Sequence, residues 1–525
     1  MKVLVSDPIE QVCVDLLTSE GFQVDVKPGR PFSELLRLVG DYDVLIVRSS
    51  TDVISDLISA GRNLKIIGRA GAGVDNIDVE AATRRGIIVM NTPGGNTVST
   101  AEHTMSLLLS LSRNIPQANE SLKSGKWERK KFVGTELQGK TIGIVGLGKV
   151  GREVAARCQA FGLTTIGFDP LLSLDVASRS NIELVNLNKL YERSDFITVH
   201  TPLNDETRGL ISDKEIQACK PGVRIINCAR GGIVDEQALL RGLESGKVAG
   251  AALDVFVTEP PEQHPLLKHP KVIATPHLGA STEEAQEKVA RQIATQIADA
   301  LKERGVAGAV NAEAIQLAMK KELRPFVSLA EKLGSLQAQL MRGQLQRLTV
   351  TCSGAFVAQA SELITASVLK GLFSHMLTEP VNLINARVIA KEMGVTIDEE
   401  RESDHATYTH LVSLRYTTDQ EARKFAGTVF GSTHVRIVQI DDYHMEINPD
   451  GHLLLYKNVD KPGMLAKVGA ELAAAQVNIA GLALGRDNPG QKALTVMNVD
   501  TQISPEVLKK LERIEGVFEV RLVRL

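Results

Sequence analysis

The sequence predicts an α/β protein in four parts: two doubly wound parallel-sheet lobes flanking a cleft, an α+β segment, and a terminal βαββαβ unit. Three observations carry that reading. Short apolar runs rich in β-branched residues alternate with helical stretches as far as about residue 310. One of those runs feeds a glycine-rich loop and then a helix. Beyond residue 452 the order becomes strand, helix, strand, strand, helix, strand.

Taken along the chain, the runs 3–5, 24–26, 44–47, 64–67 and 87–90 read as buried parallel strands, with segments such as 9–18 at helical spacing between them. A single long helix is expected over 98–122, after Thr92-Pro93-Gly94-Gly95-Asn96. Strands follow at 140–145, 164–168, 195–199, 224–227, 250–255 and 271–274, which completes a second α/β unit. The helix 282–304 is long enough to pack back on the first unit, so the first lobe is read as discontinuous, with the second inserted into it. From about residue 315 helices come first, then short strands with charged loops, of which 399–405 is one. The last unit has strands at 453–456, 478–484, 493–499 and 517–523 and helices at 463–475 and 505–514, a ferredoxin-like order.

Length and composition bound the function. A chain of 525 residues holds three or four domains. Apolar content of 43% and charged content of 23% suit a soluble globular protein. A net charge of −3 marks neither a nucleic-acid partner nor an anionic membrane, so any bound anion needs local positive groups. Five dispersed cysteines without CxxC spacing point away from disulfides and from a metal cluster, and toward a cytoplasmic protein. No apolar run approaches the roughly 18 residues of a membrane span. The first residues read directly as a strand, with no basic leader ahead of it.

The chemistry begins at Lys140-Thr141-Ile142-Gly143-Ile144-Val145, which runs into Gly146-Leu147-Gly148-Lys149-Val150-Gly151. A helix and a second strand ending in Asp169 follow. Strand, glycine loop, helix, strand and terminal acid in that order make a Rossmann-like dinucleotide fingerprint. Gly146 permits the turn, Gly148 lets backbone approach a pyrophosphate, and Gly151 lets helix and strand pack closely. The helix N-terminus offers free N–H groups to phosphate. Asp169 can accept hydrogen bonds from the ribose hydroxyls and repels a 2′-phosphate, which selects NAD over NADP.

Three charged residues stand just past strands of the same unit: Arg230, Glu259 and His277. In open parallel sheets ligands bind outside the carboxyl ends of the strands, so these side chains can converge beside a nicotinamide. Oxidising a secondary alcohol needs a base for the hydroxyl proton, and histidine suits. A neighbouring carboxylate orients the ring and stabilises its protonated form. An arginine holds the carboxylate of a 2-keto acid through paired hydrogen bonds.

With these residues in view, the chain resembles the D-isomer-specific 2-hydroxyacid dehydrogenases, and among them the long-form members that act on 3-phosphoglycerate. Gly71-Ala72-Gly73-Val74-Asp75-Asn76-Ile77-Asp78, residues 228–232 and residues 277–281 carry the resemblance across the first ~310 residues. It implies that the family's catalytic arginine, glutamate and histidine are Arg230, Glu259 and His277. It also implies NAD contacts at Lys149, Val150, Asp169, Thr201, Cys228, Ala229, Arg230, Asp254, His277, Leu278, Gly279 and Ala280. Ala72 stands where relatives often have a threonine, so a hydroxyl contact there is lost. Arg48 and Arg69, at strand ends of the first lobe, would bind the substrate's anionic groups together with Arg230 and His277. The implied reaction is NAD-dependent oxidation of 3-phospho-D-glycerate to 3-phosphohydroxypyruvate, the first step of L-serine synthesis. Another D-2-hydroxy acid, such as 2-hydroxyglutarate or glycerate, and a dinucleotide-sensing corepressor remain as alternatives.

The remaining third divides by the same resemblance. Residues 316–450 resemble the intervening domain of long-form enzymes, through Val381-Asn382-Leu383-Ile384-Asn385-Ala386 and Gly427-Thr428-Val429-Phe430-Gly431, although Arg387 replaces a proline common in relatives. Residues 452–525 resemble an ACT regulatory domain, with Asn458, Asp460 and Asn478 as implied ligands of an amino-acid effector, L-serine, bound between paired domains. The expected domain plan is 1–97 plus 282–312 for the substrate lobe and 98–281 for the NAD lobe, ahead of these two. The family pattern implies a homodimer through the helix near 98–122, or a homotetramer through the C-terminal domains as well.

Overall fold

The computed structural model describes residues 1–486 and 490–525. Its first sheet is five-stranded and parallel, in the order β2-β1-β3-β4-β5, from β1 (Lys2–Val5), β2 (Gln23–Val26), β3 (Val44–Val47), β4 (Ile66–Arg69) and β5 (Ile88–Met90). All four residues of β3 are buried, as expected of a strand covered by helices on both faces. The late helix Glu283–Leu301 returns to this sheet. Its Val289, Ala290, Ile293 and Ile297 share a core with Val3, Val5, Ile66 and the helix Gln11–Ser19. Thr282 caps it by accepting from the Ala285 N–H.

The second sheet is seven-stranded and parallel, ordered β12-β11-β10-β9-β6-β7-β8. Its members are β6 (Thr141–Val145), β7 (Thr164–Phe168), β8 (Glu183–Leu184), β9 (Phe196–Val199), β10 (Val223–Asn227), β11 (Val248–Leu253) and β12 (Val272–Ala274). The order reverses between β6 and β9, and the glycine loop leaves β6 at that switch point, where ligands bind in such sheets.

Two stretches fold differently from expectation. The helix expected over 98–122 is two helices, Thr97–Arg113 and Ile115–Lys123. Asn114 breaks it at φ 52°, and Pro116 in the first turn of the second helix cannot continue the first one's hydrogen bonds. The supposed charged loop at 399–405 begins as a strand, β14 (Thr396–Glu402). It is a sheet edge, and its alternate charges pair laterally with the next strand, while Glu399 turns inward to pair with Arg387. Arg347 meets Asp398, Thr351 donates to Glu400 and Ser353 donates to Glu402.

β14 pairs parallel with β13 (Leu345–Ser353). The sheet continues antiparallel through β15 (Leu411–Thr418), β16 (Ala422–Phe430), β17 (His434–Ile440) and β18 (Tyr443–Ile447). These strands run five to nine residues, longer than the short ones expected. The helices Arg324–Leu340 and Ser361–Met376 pack on them. The last sheet, β20-β21-β19-β22, holds β19 (His452–Val459), β20 (Ile479–Arg486), β21 (Lys492–Val499) and β22 (Val517–Arg524). Its two faces divide by the two-residue period of a strand. Leu454 and Tyr456 of β19 face its own helices, while Leu453 and Leu455 join the core of the preceding sheet. Among the described residues no helix is long and apolar enough to cross a membrane.

Candidate active site

The glycine loop is built as its spacing requires. Gly146 has φ 89°, and a Cβ there would lie 2.6 Å from the His200 carbonyl oxygen. A Cβ on Gly151 would lie 2.0 Å from the Gly146 oxygen, so any side chain would push the helix Lys149–Ala160 off the loop. At Gly148 a Cβ would meet nothing within 4 Å, which leaves that backbone open to an incoming phosphate. Lys149 and Val150 begin the helix, and the Lys149 ammonium reaches the Gly94 loop. Asp169 follows β7 and accepts from the Leu147 and Leu171 N–H groups, at 2.8 Å each. Thr201 lies over Gly146, and its buried hydroxyl has no partner among the described residues. An open glycine, an orphaned hydroxyl and a strand-end acid form a cradle that fits a dinucleotide.

The loops after β10, β11 and β12 bring the charged residues to the same edge. His277 Nδ1 lies 2.7 Å from Glu259 Oε2, which leaves Nε2 as the free ring nitrogen. The other Glu259 oxygen accepts from the Phe256 N–H at 3.0 Å. The hydrogen bond with Glu259 raises the His277 pKa above its ordinary value, against the opposing effect of burial. Burial pushes the Glu259 carboxyl up, but His277 and the Phe256 N–H outweigh it and hold the group below the usual range. The two shifts have one sense: the geometry favours an imidazolium beside a carboxylate.

Arg230 donates from Nε to Asp75 at 3.1 Å and from Nη1 to the Ala229 carbonyl at 2.7 Å. Cys228 is buried, and burial pushes its thiol up to about 12, so it stays neutral at the base of this loop. Asp254 is 1% exposed. Its carboxylate accepts from the backbone N–H groups of Leu278 and Gly279 at 2.8 and 2.9 Å and from the Thr275 hydroxyl. Ala280 completes that turn.

Across the cleft, Arg48 follows β3 and Arg69 ends β4, but they are employed differently. Arg69 is spent on its own lobe, donating to Asn76 Oδ1 at 2.7 Å and to the Gly73 carbonyl at 2.8 Å. Burial lowers its pKa, Asp75 opposes that, and Arg230 and Arg48 stand near enough to lower it further. Among the described residues the Arg48 side chain has one long bond, 3.3 Å to the Pro8 carbonyl. Its loop is wound around Asp7, which accepts from the N–H groups of Arg48, Ser50 and Thr51. Asn76 ties the two loops together by donating to the Arg48 and Thr51 carbonyls.

Asp75 and Asn76, within the Gly71–Asp78 motif, make contacts that the motif alone does not assign. The signal was available only as that motif, because their partners lie across the loop or the cleft. His103, which meets Asp254, carried no signal at all.

The C-terminal candidates do not converge. Asn458 is buried near the end of β19, where it donates to the Val459 carbonyl, and Asp460 beyond it pairs with Arg486. Asn478 precedes β20 and donates to Asp500. The register pairs Ile479 with Val499 but Asn458 with Ala493, so Asn478 lies at the other end of the sheet, roughly 20 Å along the strands.

Comparisons with known proteins agree with this architecture. Residues 105–279 match the D-isomer specific 2-hydroxyacid dehydrogenase NAD binding domain, 322–441 the D-3-phosphoglycerate dehydrogenase intervening domain, and 452–516 the ACT domain. The chain is 44% identical to the D-3-phosphoglycerate dehydrogenase of Archaeoglobus fulgidus, over 100% of both proteins. It is 42% identical to that of Bacillus subtilis, over 92% of each. A structure of D-lactate dehydrogenase from Aquifex aeolicus, complexed with NAD and lactic acid, is similar at TM-score 0.51 and 26% identity. The match covers 58% of this chain and 96% of that one.

Proposed function

The chain belongs to the D-3-phosphoglycerate dehydrogenase family, and from that premise we propose how its cleft divides the work. The enzyme oxidises 3-phospho-D-glycerate to 3-phosphohydroxypyruvate with NAD, in serine biosynthesis. Gly146, Gly148, Lys149, Val150, Gly151, Asp169 and Thr201 hold the dinucleotide from one side, and Cys228, Ala229 and residues 277–280 hold it from the other, on a turn that the buried Asp254 supports. When bound, the nicotinamide supplies the acceptor for the hydride.

The chain's own residues handle the proton and the anions. His277 takes the substrate hydroxyl proton at Nε2, and Glu259 stabilises the resulting imidazolium through Nδ1. Arg230 exchanges Asp75 for the substrate carboxylate, which it can hold bidentately. Arg48, with its head nearly free, binds the phosphate. Arg69 shapes the Gly71–Asn76 loop and adds positive potential at longer range. The carrying observation is the 2.7 Å His277–Glu259 pair beside the glycine loop. The test is NADH formation across a panel of 2-hydroxy acids. Turnover of 3-phosphoglycerate well above glycerate and 2-hydroxyglutarate is expected, and preference for either of those would move Arg48 out of the site.

The remaining readings follow the domain plan 1–97 plus 282–312, 98–281, 316–450 and 452–525. We assign L-serine to a site built from Asn458 and Asp460 of one copy and Asn478 of another, which requires at least a homodimer. Five buried, unpaired cysteines suit the reducing cytoplasm.

A further inference from the structure

The helix Thr97–Arg113 directs one titratable side chain toward the catalytic loop that none of the roles above uses, His103. Its Nε2 lies 3.0 Å from Asp254 Oδ1 and 3.1 Å from Thr275 Oγ1. The Thr275 hydroxyl spends its only hydrogen on the same Asp254 oxygen. Two acceptors therefore face Nε2, and only a ring protonated there satisfies both.

Asp254 is the strut behind the catalytic turn. Its backbone carbonyl accepts the His277 N–H at 2.9 Å, and its carboxylate accepts the N–H groups of the next two residues. These three consecutive bonds hold His277 at φ 53°, a left-handed conformation that a residue with a Cβ rarely adopts unless its surroundings impose it. A protonated carboxyl would lose charge from two of those bonds and offer a donor where Leu278 and Gly279 present donors. The turn thus depends on an ionised Asp254 in a site that water does not reach, and His103 is the one side-chain N–H supplied to it among the described residues.

We propose that His103 is a positioning residue for the oxidation. It keeps Asp254 ionised and fixed, and Asp254 in turn holds the 277–279 turn that aims the His277 imidazole into the cleft. The pKa pattern supports this. Burial drives the Asp254 carboxyl up, but His103, Thr275 and the Leu278 N–H hold it below its ordinary value. The proposal rests on the reading of His277 as the base, so its test carries a control for that reading.

The test compares the full-length wild type with His103→Leu, His103→Gln and His277→Ala, in NADH formation from 3-phosphoglycerate. Losing a donor to a buried charge should cost roughly ten- to a hundredfold in rate. His103→Leu should lose that much in kcat, with the Michaelis constant for 3-phosphoglycerate within about twofold of wild type. His103→Gln, which keeps an N–H donor, should recover most of kcat. The acid limb of the pH profile should steepen in His103→Leu, because a second group must now be ionised, and return to one proton in His103→Gln. If His103→Leu does not accumulate as folded protein, His103→Asn, too short to reach Asp254, replaces it. Unchanged kcat in the donor-less variant, or His103→Gln no better than His103→Leu, would overturn the proposal. An active His277→Ala would instead overturn the base assignment beneath it.

Discussion

The cleft and the terminal sheet gather their candidate residues in opposite ways. In the second lobe, residues drawn from six loops between 146 and 280 meet at one edge, because parallel strands present all their carboxyl ends on one side. In the terminal sheet, Asn458 and Asn478 are only 20 positions apart, yet the antiparallel register sends them to opposite ends. A parallel sheet collects a site within one chain. An antiparallel βαββαβ sheet distributes its loops to both ends, and a site that needs both must be completed by a second copy. The first kind of site should fail residue by residue under mutation, and the second should fail by copy.

The largest effect is expected where one chain holds everything. His277→Ala should lower kcat by roughly a thousandfold, as general bases commonly contribute, a far larger loss than any it causes in NAD affinity, which the other contacts of the cradle maintain. Glu259→Gln tests the partner. Glu259 raises the His277 pKa, and oxidation needs His277 neutral at the start. Removing the charge should therefore move the acid limb of the rate profile to lower pH even as kcat falls. A limb that moves upward would mean that Glu259 acts elsewhere. Arg48→Ala should raise the Michaelis constant for 3-phosphoglycerate by at least about tenfold, the order of a charge-assisted hydrogen bond lost, with little change for NAD.

How much of this was legible follows the same division. The glycine loop, Asp169, Arg230, Glu259 and His277 each sit one loop beyond a readable apolar strand, so their convergence follows from topology alone. Asp75 was not legible as the partner of Arg230, since 155 positions separate them and no local pattern links the lobes. His103 reads as any polar residue on an amphipathic helix, and its meaning comes from a buried carboxylate 151 positions away. Edge strand β14 was hidden for another reason. A strand at an edge has no apolar alternation to show, and Glu399-Glu400-Arg401-Glu402 looks like a solvated loop until the neighbouring strand supplies Thr351 and Ser353. Asn114, by contrast, stands two residues before Pro116, a break signal present in the sequence and outweighed by the apolar periodicity on either side.

The terminal sheet should respond to mutation by copy. Asp460→Ala and Asn478→Ala should each abolish the response to L-serine when present in every subunit. Hetero-oligomers refolded from a mixture of the two should regain part of it, because one interface then pairs an intact Asp460 with an intact Asn478. Calorimetry on the mixture reads this directly. No recovered heat would mean that both residues serve a site within one chain, against the register.

The smallest effect belongs to the joint between the two halves. Arg84, at the end of the helix that follows the Gly71–Asp78 loop, pairs with Glu379 and Glu392. Beside it, Asn382 donates to the Gly86 carbonyl at 2.9 Å and Asn385 to that of Arg84. The side chains of this ion-pair cluster are 34% to 48% exposed, so water and salt screen it. Arg84→Ala should therefore cost no more than about 1 kcal/mol in unfolding, the usual ceiling for exposed pairs. The asparagine bonds are less accessible to water and carry no charge to screen. Asn382→Ala should accordingly loosen the joint by a similar amount, and that amount should not change with salt. If added salt erased both losses equally in thermal unfolding, the charges alone would be holding the halves together.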